Sequence, residues 1–124
     1  MGPMTDAETP DSPSVFTRII ERELPSTILF ESDDLIAIEP LDKLAPVHIL
    51  VIPKTAQYSN VVELAAGDPQ LLARLVATAA SLAAEYSGGQ FRLVFNSGPA
   101  AGQTVFHVHA HVLGGTLEEG SLGE

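Results

Sequence analysis

Histidines alternate with small or apolar residues in the segment 106–113, whose sequence is FHVHAHVL. Successive side chains of a β-strand point to opposite faces, so His107, His109 and His111 would share one face. Three of the four histidines of the chain then lie in a row on one surface. The pattern predicts a strand over residues 105–113. Its apolar face would be buried, and its histidine face would bind a ligand or catalyse a reaction.

A metal site is one interpretation of the three imidazoles. Adjacent pairs such as His107 and His109 could share a zinc ion, and His48 could supply a further ligand. The Cα atoms of His107 and His111 would lie roughly 13 Å apart in an extended strand, so one ion reaches all three only if the strand bends. The chain has no cysteine, which excludes a thiolate zinc site and a disulfide.

An extended anionic ligand is the second interpretation. One imidazole can attack phosphorus while its neighbours hydrogen-bond the charge that develops there. The preceding loop, residues 96–104 (NSGPAAGQT), adds small residues, backbone N–H groups and a hydroxyl, as phosphate-binding turns do. A solvent-exposed polar face is the third interpretation, but such faces normally carry Thr, Lys and Glu. The combination of loop and histidines favours phosphate chemistry.

Periodicity along the rest of the chain predicts an α+β domain. The pair Asp68-Pro69, an N-cap followed by proline, predicts the start of a long amphipathic helix. Ser14 and Asn60 are predicted to cap two shorter segments. The predicted elements are helices over 15–23 and 69–86, a helical turn over 61–65, and strands over 27–30, 35–38, 48–52, 91–95 and 105–113. They make a mostly antiparallel five-stranded sheet with one long and one short helix.

Length and composition predict one domain with short tails. A chain of 124 residues has the size of a single domain. We predict a disordered tail over residues 1–13, a folded domain over residues 14–115 and a flexible acidic tail over residues 116–124. The net charge of −10 disfavours nonspecific binding to nucleic acid or to an anionic membrane. No apolar run approaches the roughly 20 residues of a membrane span, so we expect a cytoplasmic protein.

These motifs resemble those of the histidine triad (HIT) family. The segment from His107 to Leu113 matches the family signature, in which three histidines alternate with apolar residues and a further apolar residue follows. Residues 45–54 (APVHILVIPK) resemble the second characteristic stretch, and Asn96 with residues 101–106 (AGQTVF) resemble the loop into the triad. The similarity covers about residues 15–115. Its short ending in two glycines is most like the Hint-type branch of nucleoside phosphoramidases.

The resemblance implies a HIT-like fold and a covalent reaction at the triad. His109 matches the nucleophile, which would attack the α-phosphorus of a nucleoside 5′-phosphoramidate or a dinucleoside polyphosphate and form a nucleotidyl-histidine. His111 matches the position that contacts the α-phosphate and the departing atom, where a general acid would act. His107 matches the residue that orients the nucleophile, and His48 matches a supporting histidine.

The resemblance also implies where a nucleotide would bind. The residues that match positions around the phosphate and the leaving group are Asn96, Gly102, Gln103 and Thr104. Those that match an apolar slot for the base, or else ordinary core, are Val15, Phe16, Ile19, Ile38 and Leu41. The implied ligand is a purine nucleotide such as AMP or an adenosine phosphoramidate, with neither cofactor nor metal. A homodimer is also implied.

The chain departs from the family pattern near the predicted ribose site. The family usually has an aspartate eight residues before the upstream histidine, and this chain has Pro40 there. Glu39 could substitute after a local shift. A histidine that often follows the Pro-Lys pair is replaced by Ala56, and the C-terminal tail lacks an aromatic residue. Two alternatives therefore remain open, namely a nucleotide-binding or regulatory module of low turnover and a metal-dependent hydrolase.

Overall fold

A computed structural model describes residues 13–119. Nearly all of the predicted N-terminal tail, residues 1–13, lies outside the described residues, as does the end of the C-terminal tail from residue 120. Within the described range the elements are α1 (Val15–Ile20), β1 (Thr27–Glu31), β2 (Leu35–Glu39), β3 (Val47–Pro53), α2 (Val61–Gly67), α3 (Pro69–Tyr86), β4 (Arg92–Val94) and β5 (Ala110–Gly114). A 3₁₀ turn, Pro99–Ala101, lies in the loop between β4 and β5.

The five strands form one antiparallel sheet in the order β1-β2-β3-β5-β4. This confirms the predicted α+β class and the five-stranded sheet. β3 lies at the centre of the sheet, and it pairs with β2 on one side and β5 on the other. His48 on β3 pairs with Leu113, and Leu50 pairs with His111. This register brings the upstream histidine beside the triad.

Alternate residues of the central strands enter two separate cores. Ile49 and Val51 pack with α2 and α3 on one face of the sheet, in a core that also contains Leu75. Leu50 and Ile52 pack with α1 on the other face. Since both faces are covered, β2 and β3 consist almost wholly of buried residues.

Helix ends follow the predicted caps. The Oδ1 atom of Asp68 accepts a hydrogen bond from the N–H of Leu71 at 3.1 Å, and α3 runs over the predicted residues. Asn60 caps α2, which is a seven-residue helix rather than a single turn. α1 ends at Ile20, three residues before the prediction, because Arg22 takes a left-handed conformation with φ of 64°.

The histidine segment differs from its prediction. β5 begins at Ala110, so His107 and His109 precede the regular strand. The N–H of Val108 donates to the carbonyl of Tyr58 at 2.9 Å, outside the sheet ladder. The predicted alternation nevertheless holds, since Val108 is buried in the core under α3 while His107 and His109 contact Phe16 of α1.

Two further observations concern the ends and the surface of the described chain. The Nη2 atom of Arg92 donates to the carbonyl of Glu118 at 3.0 Å, so the first residues of the predicted C-terminal tail are held against β4. Among residues 13–119 no helix combines the length and apolar character that crossing a membrane requires.

Candidate active site

All four histidines lie on the side of the sheet that α1 covers. His48 and His111 come from neighbouring strands, and their ring centroids are 5.2 Å apart. The rings of His109 and His111 are also 5.2 Å apart, and the ring of His109 lies 4.8 Å from that of Phe16. The predicted triad and the predicted upstream histidine therefore form one cluster.

A directional hydrogen-bond chain fixes the tautomers of His48 and His111. The backbone N–H of Leu44 donates to Nδ1 of His48 at 3.0 Å, so that nitrogen carries no proton. Nε2 of neutral His48 must then be the protonated nitrogen, and it lies 3.0 Å from Nδ1 of His111. His111 accepts this bond at Nδ1, which leaves its Nε2–H as a donor for a ligand.

The tautomer of His109 follows from its contact with a main-chain carbonyl. Nδ1 of His109 lies 2.9 Å from the carbonyl oxygen of His107, which can only accept. Nδ1 therefore carries the proton, and Nε2 keeps its lone pair. The ring is partly exposed, so this lone pair is placed for attack on an electrophile.

The ring of His107 is held at both nitrogens. Its Nε2–H donates to the carbonyl of Pro53 at 2.7 Å, so Nδ1 must accept. The hydroxyl of Ser14 lies 2.7 Å from Nδ1, and that of Thr17 lies 3.3 Å away. Because this side chain is only 1% exposed and both nitrogens are occupied, it has no free atom for a substrate.

Burial keeps the cluster uncharged. Desolvation is the largest cause that lowers the pKa of each of the four histidines below the ordinary value. Burial, together with nearby His109 and His48, lowers the pKa of His111 to about 4. For His109 the hydrogen bond to the His107 carbonyl opposes the effect of burial on the pKa. At neutral pH the lone pair of His109 is therefore available.

The loop before the triad is braced from within. Gln103 is only 3% exposed, and its Oε1 accepts from the N–H of Gly98 at 2.8 Å. Its Nε2 donates to the carbonyls of Ser59 and Val105. The N–H of Gly102 donates to Pro99 within the 3₁₀ turn. These groups were expected to face a phosphate, but in the structure they hold the loop together.

The other two predicted phosphate contacts are placed differently. Asn96 is half-buried, and its side-chain nitrogen lies 4.0 Å from where a Cβ at Gly102 would sit. Thr104 is exposed. Asn96 thus lies against the loop, while Thr104 lies at the surface.

Four of the five residues predicted for the base slot form one apolar group. Phe16, Ile19 and Ile38 are buried in the core under α1, and Val15 packs against them. Leu41 is fully exposed and lies outside this group, which corrects the prediction for that residue. This residue lies in the segment between β2 and β3, outside both strands.

Two features near the site bear on ribose and metal binding. The carboxylate of Glu39 forms an ion pair with Nζ of Lys43 beside Pro40.

Within residues 13–119 no group of three or more His, Asp or Glu side chains is arranged to hold a metal ion. Both nitrogens of His48 and of His107 take part in hydrogen bonds within the protein.

Ser14 and Thr17 were not predicted as parts of the site. The sequence indicated Ser14 only as a helix cap, which the structure confirms through its bond to the N–H of Thr17 at 3.0 Å. The contact between Ser14 and His107 spans 93 residues of sequence. No local pattern indicates a contact of that separation, so only the fold reveals it.

Comparisons with known proteins agree with this geometry. The sequence model of the HIT domain matches residues 21–117. A HIT-like protein of Synechocystis is 43% identical over 106 residues, which cover 82% of this chain and 90% of that protein. A protein of Arabidopsis thaliana named adenylylsulfatase HINT1 is 39% identical over 112 residues, which cover 88% of this chain and 76% of that protein.

Solved structures show the same likeness. A HIT family hydrolase from Clostridium thermocellum superimposes with a TM-score of 0.77 at 45% identity, over 82% of this chain and 90% of that one. The histidine cluster, the five-stranded sheet and these relatives agree, and the chain belongs to the histidine triad (HIT) family.

Proposed function

We propose that the protein hydrolyses a nucleoside 5′-phosphoramidate or a related nucleotide at the α-phosphorus, through a nucleotidyl-histidine on His109. The observation that supports this most directly is the bond between Nδ1–H of His109 and the carbonyl of His107, at 2.9 Å. It keeps the proton on Nδ1 and the lone pair on Nε2. A hydrolase of the HIT family, with a neutral imidazole in a partly exposed site, is well suited to covalent catalysis.

In the first half of the reaction Nε2 of His109 attacks the α-phosphorus. A phosphorus–nitrogen bond forms, and the bond to the leaving group breaks with its electron pair going to that group. When the leaving group is an amine, it departs with a proton taken from solvent. The product is a nucleotidyl-histidine, which divides one difficult displacement into two easier ones.

His111 serves in this proposal as a neutral hydrogen-bond donor to the departing atom or to a phosphate oxygen. Giving up the Nε2 proton would require His48 to pass its own Nε2 proton across the 3.0 Å contact. That transfer would leave His48 anionic, because its other nitrogen already accepts from Leu44. The low pKa of His111, about 4, also favours the neutral form over a general acid at neutral pH.

In the second half water attacks the phosphorus of the nucleotidyl-histidine. The bond to Nε2 breaks, its electron pair returns to His109, and the proton released by water passes to solvent. The products are a nucleoside monophosphate and the regenerated imidazole. The proton taken up in the first half is thus returned in the second.

The apolar group of Val15, Phe16, Ile19 and Ile38 supports a base-binding role beside the triad, since Phe16 contacts both the group and the ring of His109. The name of the Arabidopsis relative, adenylylsulfatase, indicates that this relative acts on an adenylyl sulfate. We therefore propose an adenine nucleotide as ligand. We also propose that the protein forms a homodimer, as the family resemblance implies.

Turnover of adenosine 5′-phosphoramidate tests the reaction. We expect AMP release by the protein, loss of AMP release in His109→Ala, and no effect of a chelator. His111→Gln is the matched variant, because it keeps a side-chain donor and should retain part of the activity. Turnover that survives in His109→Ala would contradict the nucleophile, and loss of turnover with chelator would support a metal-dependent hydrolase.

A nucleotide-binding module of low turnover is the second candidate, and Pro40 is the observation that favours it. Proline has no side-chain group that can hold a ribose hydroxyl, and the nearby Glu39 is paired with Lys43. AMP binding without any turnover would support the module. We expect turnover instead, with little preference for a ribonucleotide over the 2′-deoxyribonucleotide.

A further inference from the structure

We propose that Ser14 is a positioning residue, which holds the nucleophile His109 in place through the side chain and backbone of His107. The catalytic consequence rests on the proposed function. The hydrogen bonds that carry the inference are properties of the free protein, so they can be tested without a substrate.

Ser14 joins helix α1 to the triad by using its hydroxyl twice. The oxygen accepts the N–H of Thr17 at 3.0 Å, which caps the helix. Two acceptors lie within reach of the hydroxyl proton: Nδ1 of His107 at 2.7 Å and the hydroxyl oxygen of Thr17 at 3.3 Å, and the shorter contact to His107 is the stronger bond. Nδ1 can only accept, because Nε2 of the same ring donates to the carbonyl of Pro53. One side chain therefore caps the helix and also provides the hydrogen bond that the buried Nδ1 of His107 needs.

The effect reaches His109 through the main chain of His107. A ring fixed at both nitrogens and only 1% exposed leaves the backbone at residue 107 little freedom. The carbonyl of that residue accepts the Nδ1–H of His109 at 2.9 Å, which keeps the attacking nitrogen unprotonated. Loss of the Ser14 bond would loosen the carbonyl and with it the ring of the nucleophile.

Two neighbours on the same helix reinforce the arrangement. The ring of Phe16 meets that of His109 edge-on, with 66° between their planes. The hydroxyl of Thr17, 3.3 Å from Nδ1 of His107, is a weaker second donor. α1 has only six residues, too few for a stable isolated helix, so these contacts and the apolar core set its position.

Three substitutions separate the hydrogen bond from the helix cap. Ser14→Thr keeps both the cap and the donor. Ser14→Gly keeps an acceptable N-cap residue but removes the hydroxyl, so the bond to Nδ1 of His107 is lost. Ser14→Ala combined with Thr17→Val removes both hydroxyl donors and the cap. A difference between Ser14→Thr and Ser14→Gly therefore reports the bond to His107.

The first measurement is nitrogen-15 NMR of the histidine rings in the ligand-free, full-length protein. We expect wild type and Ser14→Thr to show unprotonated Nδ1 on His107 and slow solvent exchange of the Nδ1–H of His109. In Ser14→Gly the nitrogen-15 shift of Nδ1 of His107 should move, because this nitrogen loses its hydrogen bond to Ser14, and the Nδ1–H of His109 should exchange faster. Unchanged exchange at His109 in Ser14→Gly would overturn the proposal, whether or not the protein has turnover.

The second measurement separates kcat from KM for adenosine 5′-phosphoramidate. Ser14→Gly should lower kcat about tenfold, as expected for loss of one hydrogen bond that supports the reacting group, while KM changes less than kcat. Ser14→Thr should retain the wild-type kcat. Wild-type kcat in Ser14→Gly would overturn the positioning role. A wild type without turnover would contradict the proposed function alone, and the NMR result would then decide the role of Ser14.

Discussion

Nε2 of His48 lies 3.0 Å from Nδ1 of His111, and the N–H of Leu44 on the far side of His48 sets the direction of this bond. Register brings the two histidines together, since β3 and β5 are antiparallel neighbours. The contact makes His111 a neutral donor whose Nε2–H is available to a ligand. It joins a loop residue, a central strand and the triad in one chain of hydrogen bonds.

The first prediction concerns the loss of this support. His48→Ala should raise the pKa of His111 toward its ordinary value, since His48 contributes to the lowering, and should reduce kcat about tenfold. NMR titration of the His111 ring measures the first effect, and steady-state kinetics the second.

His48→Gln is the matched control, because its amide N–H can still donate to Nδ1 of His111. It should retain more activity than His48→Ala. Equal kcat in the two variants would show that the hydrogen bond to His111 has no part in the reaction.

The second prediction concerns stability in acid. The folded pKa of His111 is about 4, below the ordinary 6.5, so the unfolded chain binds more protons between these values. The contribution of His111 to the free energy of unfolding should therefore be complete above pH 6.5 and be lost as the pH falls toward 4. The contribution of His111 is on the order of 2 kcal/mol, since partial exposure reduces the full effect of the shift.

Urea unfolding at several pH values measures this dependence. His111→Gln removes the titrating group and should flatten the curve in that interval. A slope in His111→Gln identical to that of wild type would contradict the assignment to His111.

The folded architecture was largely predictable, and the reasons are local. The β-branched run in β3 and the Asp68-Pro69 start of α3 are strong signals, and both elements occur as predicted. The alternation of histidines also predicted which residues share a side. The start of β5 was not predictable, because it depends on the bond from Val108 to Tyr58, 50 residues earlier in the sequence.

The histidines of the site were predictable from the sequence, but the residues that surround and hold them were less so. Leu41 was assigned to the base slot through its match to the family pattern, but it lies in the segment after β2 and is fully exposed. Gln103 was expected at the phosphate, yet its amide bonds to Gly98 and Val105 and to the carbonyl of Ser59, 44 residues earlier in the sequence. Long-range hydrogen bonds decide both the Gln103 environment and the Ser14 contact, and no periodicity in the sequence encodes them.

The third prediction concerns Phe16, whose ring contacts His109 and belongs to the core under α1. Phe16→Leu should raise KM severalfold, because it removes the flat aromatic surface next to the nucleophile. Kinetics with adenosine 5′-phosphoramidate measure the change. Ile36→Val is the control, since it trims the same core at a fully buried residue and should cost about 1 kcal/mol of stability with unchanged KM. A similar KM in both variants would contradict a base-binding role.

The fourth prediction concerns the brace of the loop. Gln103→Glu keeps an acceptor for Gly98 but turns a carboxylate toward the carbonyls of Ser59 and Val105. It should destabilise the protein by about 3 kcal/mol, because the two carbonyls lose their donor and face a buried carboxylate. Urea unfolding measures this value. Gln57→Glu, at an exposed residue, should change stability by less than about 0.5 kcal/mol. An equally small effect at Gln103 would contradict the brace.

The central claim is that His109 becomes covalently nucleotidylated. Rapid mixing with adenosine 5′-phosphoramidate, an alkaline quench that preserves the phosphorus–nitrogen bond, and peptide mass spectrometry test it directly. We predict an adenylyl group on the peptide that contains His109, formed and lost at rates consistent with kcat, and absent in His109→Ala. Steady AMP release with no adenylylated His109, or an adenylyl group on another residue, would contradict it.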